Sequence, residues 1–324
     1  MKIMDTLLDK ASTNSWCREV DEHEYLGSVP SMLGNNERRM LHWWARELPL
    51  TDSGYIVDAG CFLGGSTNAF VTGLAKNPYV QEKFWRIHAY DMFIAPRENY
   101  SLEMISNSKV AGDSVIEIFV NGLNTLRDFV MVHMGDFHHS SPPPGDLDIL
   151  FVDICKSWSL NNIIIDRFFP HLIPGKSILI QQDYNDQFSP WVNLTMAYYR
   201  DYFDYIADEH GSRIYIYKTQ IPRDQLNGSM IKNLDFEAKI SLMNEEIELS
   251  GNLHSRFFNA ITTAWLVFEH GGIQKARKYL SSIDSIAIQP WHSEKPYVDI
   301  VLSAMEHLGD ISGLEKYQNQ YFKK

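Results

Sequence analysis

The chain of 324 residues carries a formal net charge of −12, and 44% of its residues are hydrophobic. This length and composition indicate a globular protein with a large core and an appendage or second domain, and they exclude a fibrous or disordered chain. The acidic balance, without any Lys/Arg-rich run, excludes nucleic acid as an expected partner, because cationic contacts dominate such binding.

Residues 1–53 form the first predicted segment, a helical N-terminal cap. Within it, "NNERRMLHWWAREL" (35–48) predicts a helix, because Met40, Trp44 and Leu48 lie near helical spacing. Neither this segment nor the rest of the chain contains a long apolar stretch, so neither a signal peptide nor a membrane span is expected.

Residues 54–220 form the predicted core. Short apolar runs that end in acids alternate there with longer amphipathic stretches, which is typical of βα units on a parallel sheet. The five runs cover residues 54–58, 86–91, 129–136, 147–153 and 176–183, and residues 203–218 predict a closing hairpin that turns at 210–212. We therefore expect an α/β fold, doubly wound, with a mostly parallel seven-stranded sheet.

A helix is predicted between the fourth and fifth runs, in "SLNNIIIDRFFPHLIPG" (159–175). Ser159 is its expected N-cap, and Gly175 stands just past its expected end.

Residues 221–324 form a predicted helical C-terminal extension. Phe257, Ile261, Trp265 and their neighbours follow a helical period up to Gly271, and a second such pattern runs over residues 297–308. These helices are expected either to pack on the core or to complete a homodimer.

The stretch "VDAGCFLGGST" (57–67) predicts a strand, a glycine-rich turn and a helix start, where backbone N–H groups point at a ligand. A dinucleotide loop has its second glycine two positions after the first, and Phe62 stands there instead. Gly60 followed by Gly64 and Gly65 leaves room for a cofactor without phosphates. Ser66 and Thr67 are expected to cap the next helix.

Acids at the ends of the first three strands favour a cofactor with cationic groups. S-adenosylmethionine fits, because it carries an ammonium, a sulfonium, a carboxylate and no phosphate. Asp58 is expected beside the cations and Asp91, with Met92 beside it, at the ribose hydroxyls. Asp136 is expected at the adenine amino group, with Phe137 against the ring. The alternative for each Asp is a turn or a helix cap.

The motifs "VDAGCFLGGST", "HAYD", "GDF" and "LFVD" resemble those of class I S-adenosylmethionine-dependent methyltransferases, over roughly residues 35–218. The run from 148 to 184 looks most like the macrocin and catechol O-methyltransferase branches. The resemblance implies a functional Asp at the end of the fourth strand, where Asp153 stands. It also implies a lysine base three positions later, where Lys156 stands.

Methyl transfer to a hydroxyl needs alignment of the reactants and a general base near the ends of the fourth and fifth strands. The candidate bases are Lys156 with Asp153, Asp183 or one of the paired histidines His138 and His139. For Lys156 the alternative is a solvated lysine at a helix start.

In the resembling families, magnesium often binds the strand-four Asp and an Asp-Asp or Asp-Asn pair at the end of strand five. Asp153 and Asp183 are therefore the candidate ligands here. "IQQDYND" supplies Asp183 followed by Tyr184, which is only half of that pair, and the departure weakens the magnesium prediction.

The acceptor is expected to contact residues that follow the fourth and fifth strands. Gln182 offers an amide for acceptor hydroxyls, and the alternative is hydrogen bonding to neighbouring loops. Trp158 and Tyr184, with Phe188 and Trp191, are expected to wall the pocket, and the alternative is that they belong to the core.

The sequence thus predicts an enzyme that methylates a hydroxyl of a small metabolite, such as a sugar or natural product. The alternative is a cofactor-binding regulatory or scaffold protein whose helical tail docks a partner. Three isolated cysteines, Cys17, Cys61 and Cys155, fit a reducing, cytoplasmic location.

Overall fold

A computed structural model describes residues 2–21, 29–96, 105, 110–251, 253–282 and 305. The second pattern of the C-terminal extension, over residues 297–308, lies outside the described residues apart from Met305. The chain divides into two compact units that interleave along the sequence, unlike the contiguous segments expected. The core unit lies within residues 1–154, 163–182 and 201–226, and the helical unit within residues 155–162, 183–200 and 227–324.

The core unit contains a seven-stranded sheet in the order β3-β2-β1-β4-β5-β7-β6. Its strands are β1 (Tyr55–Ala59), β2 (Ile87–Asp91), β3 (Val130–Met134), β4 (Leu147–Val152), β5 (Ile178–Gln181), β6 (Phe203–Glu209) and β7 (Ser212–Tyr217). Neighbouring strands are parallel except that β7 is antiparallel to β5 and β6. The predicted mostly parallel, doubly wound sheet is confirmed.

Both faces of the sheet are covered, which explains why its strands read as continuous apolar runs. Every residue of β4 is buried. On one face lie the helices α3 (Asn35–Glu47) and α4 (Gly65–Lys76). They pack so closely that a Cβ at Gly73 would lie 2.2 Å from the His42 carbonyl oxygen, so only glycine fits there. The predicted helix at 35–48 is confirmed.

The first helices of the chain belong to the same unit. They are α1 (Lys2–Ala11) and α2 (Trp16–Glu19), and α5 (Ile116–Leu123) follows later. The buried Trp16 donates its indole N–H to Glu209 Oε2 at 2.7 Å. This bond ties the N-terminal segment to the end of β6.

The helix predicted at 159–175 begins one residue earlier and changes its winding. It starts as α6 (Trp158–Ile163), continues through a π-helical turn at Ile164–Phe168, and ends in a 3-10 turn at Phe169–His171. The prediction of Ser159 as N-cap is wrong, because Ser157 Oγ accepts the Leu160 N–H at 3.3 Å in that role.

The helical unit contains the remaining helices. They are α7 (Pro190–Tyr198), α8 (Gly228–Lys232), α9 (Phe236–Leu249), α10 (Leu253–Gly271) and α11 (Ile273–Ser282). Phe257, Ile261 and Trp265 of α10 form its apolar core with Ala276 and Leu280 of α11. The helix predicted from that spacing is confirmed. None of the described helices has the length and apolarity needed to cross a membrane.

Candidate functional site

The glycine loop runs from the end of β1 to the start of α4. Gly60 has φ of 99° and Phe62 has φ of 46°, so the chain turns through the left-handed region. A Cβ at Gly60 would lie 2.6 Å from the Asp153 carbonyl oxygen. Gly60 is therefore required both by the backbone conformation and by contact with the chain that follows β4.

Protein atoms also fill the space beside the next two glycines. A Cβ at Gly64, where φ is 96°, would lie 2.9 Å from Phe119 Cδ2, and a Cβ at Gly65 would lie 2.2 Å from Ser31 Oγ. The sequence interpretation assigned these glycines to a cofactor alone. No local sequence signal reveals Phe119 or Ser31 as their neighbours.

Asp58 lies beneath the loop and has no exposed surface. Its carboxylate accepts hydrogen bonds from Ser66 Oγ at 2.9 Å and Thr67 Oγ1 at 2.5 Å. Burial raises the pKa of Asp58 to about 7; the two hydroxyl bonds oppose this shift, and the nearby Asp91 charge adds to it.

Two expectations about this group are corrected. Ser66 and Thr67 do not cap α4, because Gly64 is the N-cap residue and both hydroxyls bond to Asp58. Asp58 does not present its carboxylate to a cofactor cation, because it is fully buried. Instead, it fixes the shape of the loop.

Asp91 joins the glycine loop to the end of β2. Its Oδ2 accepts the Phe62 N–H at 2.9 Å, and its Oδ1 accepts the Phe93 N–H at 2.7 Å. Burial raises its pKa, and these backbone bonds oppose the shift. The side chain is partly exposed, and each carboxylate oxygen retains acceptor capacity for a ligand.

Asp136, after β3, caps its own turn, as the alternative interpretation held. Its Oδ1 accepts the His138 backbone N–H at 2.9 Å and lies 2.7 Å from His138 Nδ1, and these bonds lower the pKa of Asp136. Neighbouring strands lie about 4.8 Å apart, and β3 is three strands from β4, so about 14 Å separates them. His138 is therefore too remote to act as the base beside the ends of β4 and β5.

The aromatic ring expected against adenine is part of the core instead. Phe137 is 3% exposed, lies 5.2 Å from Phe168 between ring centres and meets Tyr90 edge to face. At the carboxyl ends of β2 and β3, the exposed side chains include those of Met92 and Met134. Met134 is paired in register with Asp91, and the sequence analysis missed it.

The side chain of Gln182 forms hydrogen bonds to other residues of the core unit. Its Oε1 accepts the Ser212 hydroxyl, and its side chain also bonds to Glu37. Glu37 in turn accepts the Gly211 N–H at 3.2 Å. These bonds favour the alternative interpretation, because the Gln182 amide joins the end of β5 to the hairpin and to α3.

In the helical unit, Lys156, Asp183 and Asp186 form a charged group that we call the Lys156 cluster. Lys156 Nζ donates to Asp183 Oδ2 in an ion pair, and the Asp186 N–H bonds to the Asp183 carbonyl at 3.0 Å. Burial and the Asp183 charge raise the pKa of Asp186 to about 6. An adjacent carboxylate favours the ammonium form of lysine, which cannot accept a proton. The structure therefore argues against Lys156 as the base.

The same ion pair bears on the magnesium prediction. An ammonium already neutralises Asp183, one of the two candidate ligands. The parts of the chain that the structure describes contain no group of three or more His, Cys, Asp or Glu side chains that could hold a metal ion. The residues present do not fit a magnesium site.

The aromatic residues of the helical unit differ in exposure. Tyr184 has no exposed surface, and its hydroxyl donates to Glu246 Oε1 at 2.7 Å, so the prediction that it walls an open pocket is wrong. Trp191 is 3% exposed and donates to the Cys155 carbonyl at 2.5 Å. Trp158 is partly exposed and lies 6.0 Å from Trp191 between ring centres.

Asp186 is a further residue that the sequence analysis did not select. It stands in the quoted run "IQQDYND", three positions after Asp183, which is the spacing of a single turn. That spacing was the available signal.

Comparisons with known proteins give similarities at low identity. No protein-family model matches the chain, and no curated protein matches its sequence. The O-methyltransferase NovP is 16% identical, with 67% of this chain and 100% of NovP covered and a TM-score of 0.47. A calicheamicin methyltransferase is 14% identical, with 65% and 91% covered and a TM-score of 0.41. A coclaurine N-methyltransferase bound to N-methylheliamine and SAH is 11% identical, with 81% and 71% covered and a TM-score of 0.30.

Proposed function

We propose that this chain is an S-adenosylmethionine-dependent methyltransferase that acts on a hydroxyl of a small metabolite, such as a sugar or natural product. The observation that carries the proposal is the glycine loop bonded to Asp91, with Phe62 N–H at 2.9 Å from the carboxylate. This loop follows β1, which lies between β2 and β4 at the point where the strand order reverses. Ligands of doubly wound sheets bind at that point.

The side chains around the loop favour a cofactor without phosphates. Phe62 stands where a dinucleotide site needs glycine. The acceptor capacity left on Asp91 suits two ribose hydroxyls. The exposed thioethers of Met92 and Met134 supply apolar surface for an adenine ring, in place of Phe137.

The proposed reaction is an in-line displacement. The acceptor oxygen attacks the methyl carbon, the carbon–sulfur bond breaks as the carbon–oxygen bond forms, and the sulfonium leaves as the neutral thioether. The hydroxyl proton passes to a base. Asp153 follows β4, at the strand ends where such folds bind ligands, and it is the proposed catalytic carboxylate.

Calorimetric titration tests the cofactor. We expect S-adenosylmethionine and S-adenosylhomocysteine to bind with micromolar affinity and NAD not to bind. Asp91→Ala is expected to weaken both interactions. Asp204→Ala is the matched control, because it removes an exposed carboxylate of β6 that pairs only with the exposed Lys218 among the contacts described. Absence of binding of both sulfur compounds to the folded wild type would refute the proposal.

Transfer is tested with S-adenosylmethionine labelled in its methyl group. Panels of phenols, sugars and amines are incubated with the protein, and the site of the added methyl is found by mass spectrometry. We expect label on a hydroxyl oxygen. Label on nitrogen would retain the methyltransferase and correct the acceptor class, whereas binding without transfer to any panel would favour the regulatory alternative.

A further inference from the structure

Buried polar side chains of the helical unit converge on Tyr184, the residue after Asp183. Tyr184, Asn193 and Asn259 have no exposed surface. The Tyr184 hydroxyl donates to Glu246 Oε1 of α9 at 2.7 Å, and Asn193 Nδ2 of α7 donates to the Tyr184 carbonyl at 2.9 Å. Tyr184 is thus bonded at its side-chain tip and at its backbone.

These bonds close into a ring. Asn193 Nδ2 also donates to Asn259 Oδ1 of α10 at 2.8 Å, and Asn259 Nδ2 donates to Ser250 Oγ at 3.0 Å. Ser250 Oγ donates to the Glu246 carbonyl at 2.7 Å, which returns to the residue that binds Tyr184. Two of these bonds are buried and three are partly buried, and a connected network of this kind rigidifies the groups that it joins.

The backbone held by this network has an uncommon conformation. Asp183 has φ of 61°, in the left-handed region, and its carbonyl accepts the Asp186 N–H at 3.0 Å to close a tight turn. Such conformations persist when the surrounding structure determines them. Lys156 bonds to the Asp183 side chain on this turn.

We propose that α9 and α10 are positioning elements, which act through Tyr184 and Asn193 to hold the turn Asp183–Asp186 in the conformation that pairs Asp183 with Lys156. The helices α9 and α10 then have a structural role at this turn, in contrast to a tail that only docks a partner. This positioning goes beyond the proposed function and does not depend on it.

The reactivity of Lys156 reports on the position of Asp183. Acetic anhydride acylates the free amine, so an ion-paired lysine reacts slowly, and mass spectrometry measures each lysine separately. In Tyr184→Phe and Glu246→Ala we expect Lys156 to be acetylated about fivefold faster than in the wild type. Asp183→Asn gives the rate of the unpaired lysine. Glu246→Gln is expected to stay near the wild type, because its amide oxygen still accepts from Tyr184.

Tyr279→Phe is the matched control. It removes another tyrosine hydroxyl bond to α9, from Tyr279 to Asn244 Oδ1 at 2.7 Å, and leaves the turn alone. We expect it to lower the melting temperature by a similar amount without changing the acetylation of Lys156. A merely stabilising role for the network predicts equal labelling in Tyr184→Phe and Tyr279→Phe.

Three outcomes would overturn the proposal: wild-type labelling in Tyr184→Phe, equal acceleration in Tyr279→Phe, or no acceleration in Asp183→Asn. Titration of Tyr184→Phe, Glu246→Ala and Tyr279→Phe with S-adenosylmethionine is expected to give the wild-type affinity. Failure of the wild type itself to bind this compound would refute the proposed function but leave the labelling result standing. The two failures are therefore distinguishable.

Discussion

The glycine loop and the turn after β5 are held in different ways. Around the loop, Asp58 bonds hydroxyls that are eight and nine residues away in sequence. Around the turn, Tyr184 depends on Glu246, which is 62 residues away, and Asn193 on Asn259, which is 66 residues away. The hydroxyl bonds to Asp58 are therefore local, although the glycines of the loop also meet distant residues, whereas the turn is bonded to helices far along the chain.

Substitution of Gly60 is expected to have the largest effect on stability, because the atoms nearest to a Cβ there belong to the backbone of Asp153 and Ile154 and cannot move aside easily. Gly60→Ala adds a Cβ 2.6 Å from a backbone carbonyl oxygen at a residue with φ of 99°. We expect a loss of about 4 kcal/mol in the free energy of unfolding, measured by urea denaturation, together with loss of cofactor binding.

Gly64→Ala separates conformation from contact at the same loop. Its Cβ would meet a side chain, Phe119, at 2.9 Å, so Phe119→Leu is expected to restore part of the stability lost. No such second-site rescue is expected for Gly60→Ala. Equal stability of the two glycine variants would show that the contact with the chain after β4 has little importance.

The buried Asp58 predicts a pH dependence of the free energy of unfolding. Its pKa in the folded protein is raised to about 7, so folding favours the protonated acid. The stabilisation from Asp58 is complete below the pKa that its carboxyl has in the unfolded chain, and it is lost as the pH rises through about 7. Relative to Asp58→Asn, the wild type is expected to lose about 3 kcal/mol between pH 4 and 8.

Denaturation midpoints at each pH check this prediction, with Asp52→Asn as the exposed control. A constant difference between wild type and Asp58→Asn would contradict the raised pKa.

The separation along the sequence between contacting residues explains which features could be predicted from the sequence. The strands, the order of the core elements and the approach of Asp91 to the glycine loop follow from apolar periodicity and from strands that end together. Phe137 and Tyr184 were misassigned because their partners, Phe168 and Glu246, lie in other elements. Exposure at a strand end depends on tertiary packing, which spacing along one chain does not contain.

The carboxylates at the ends of β2 and β3 also differ in the residues that they contact. Asp91 bonds across to the glycine loop, whereas Asp136 bonds only within its own turn among the contacts described. We expect Asp91→Ala to weaken S-adenosylmethionine binding about 30-fold, which is the effect of one or two charge-assisted hydrogen bonds. Asp136→Ala is expected to change the affinity less than threefold. Calorimetry would contradict this ranking if the two variants weakened binding equally.

The smallest expected effect is that of magnesium on the wild type, and it follows from the charge of the Lys156 cluster. Lys156 pairs with Asp183 next to Asp186, so the ammonium already stands where a divalent cation would balance these carboxylates. We expect 5 mM magnesium to shift the melting temperature of the wild type by less than about 1 °C.

Lys156→Ala reverses this expectation, because it leaves two neighbouring carboxylates without a cation. Magnesium is then expected to raise the melting temperature by about 3 °C, and Lys156→Arg, which keeps the charge, should behave as the wild type. A large shift in the wild type would mean that the ion displaces Lys156 from Asp183. The turn Asp183–Asp186 would then change its conformation even though Tyr184 and Asn193 are bonded to α9 and α10.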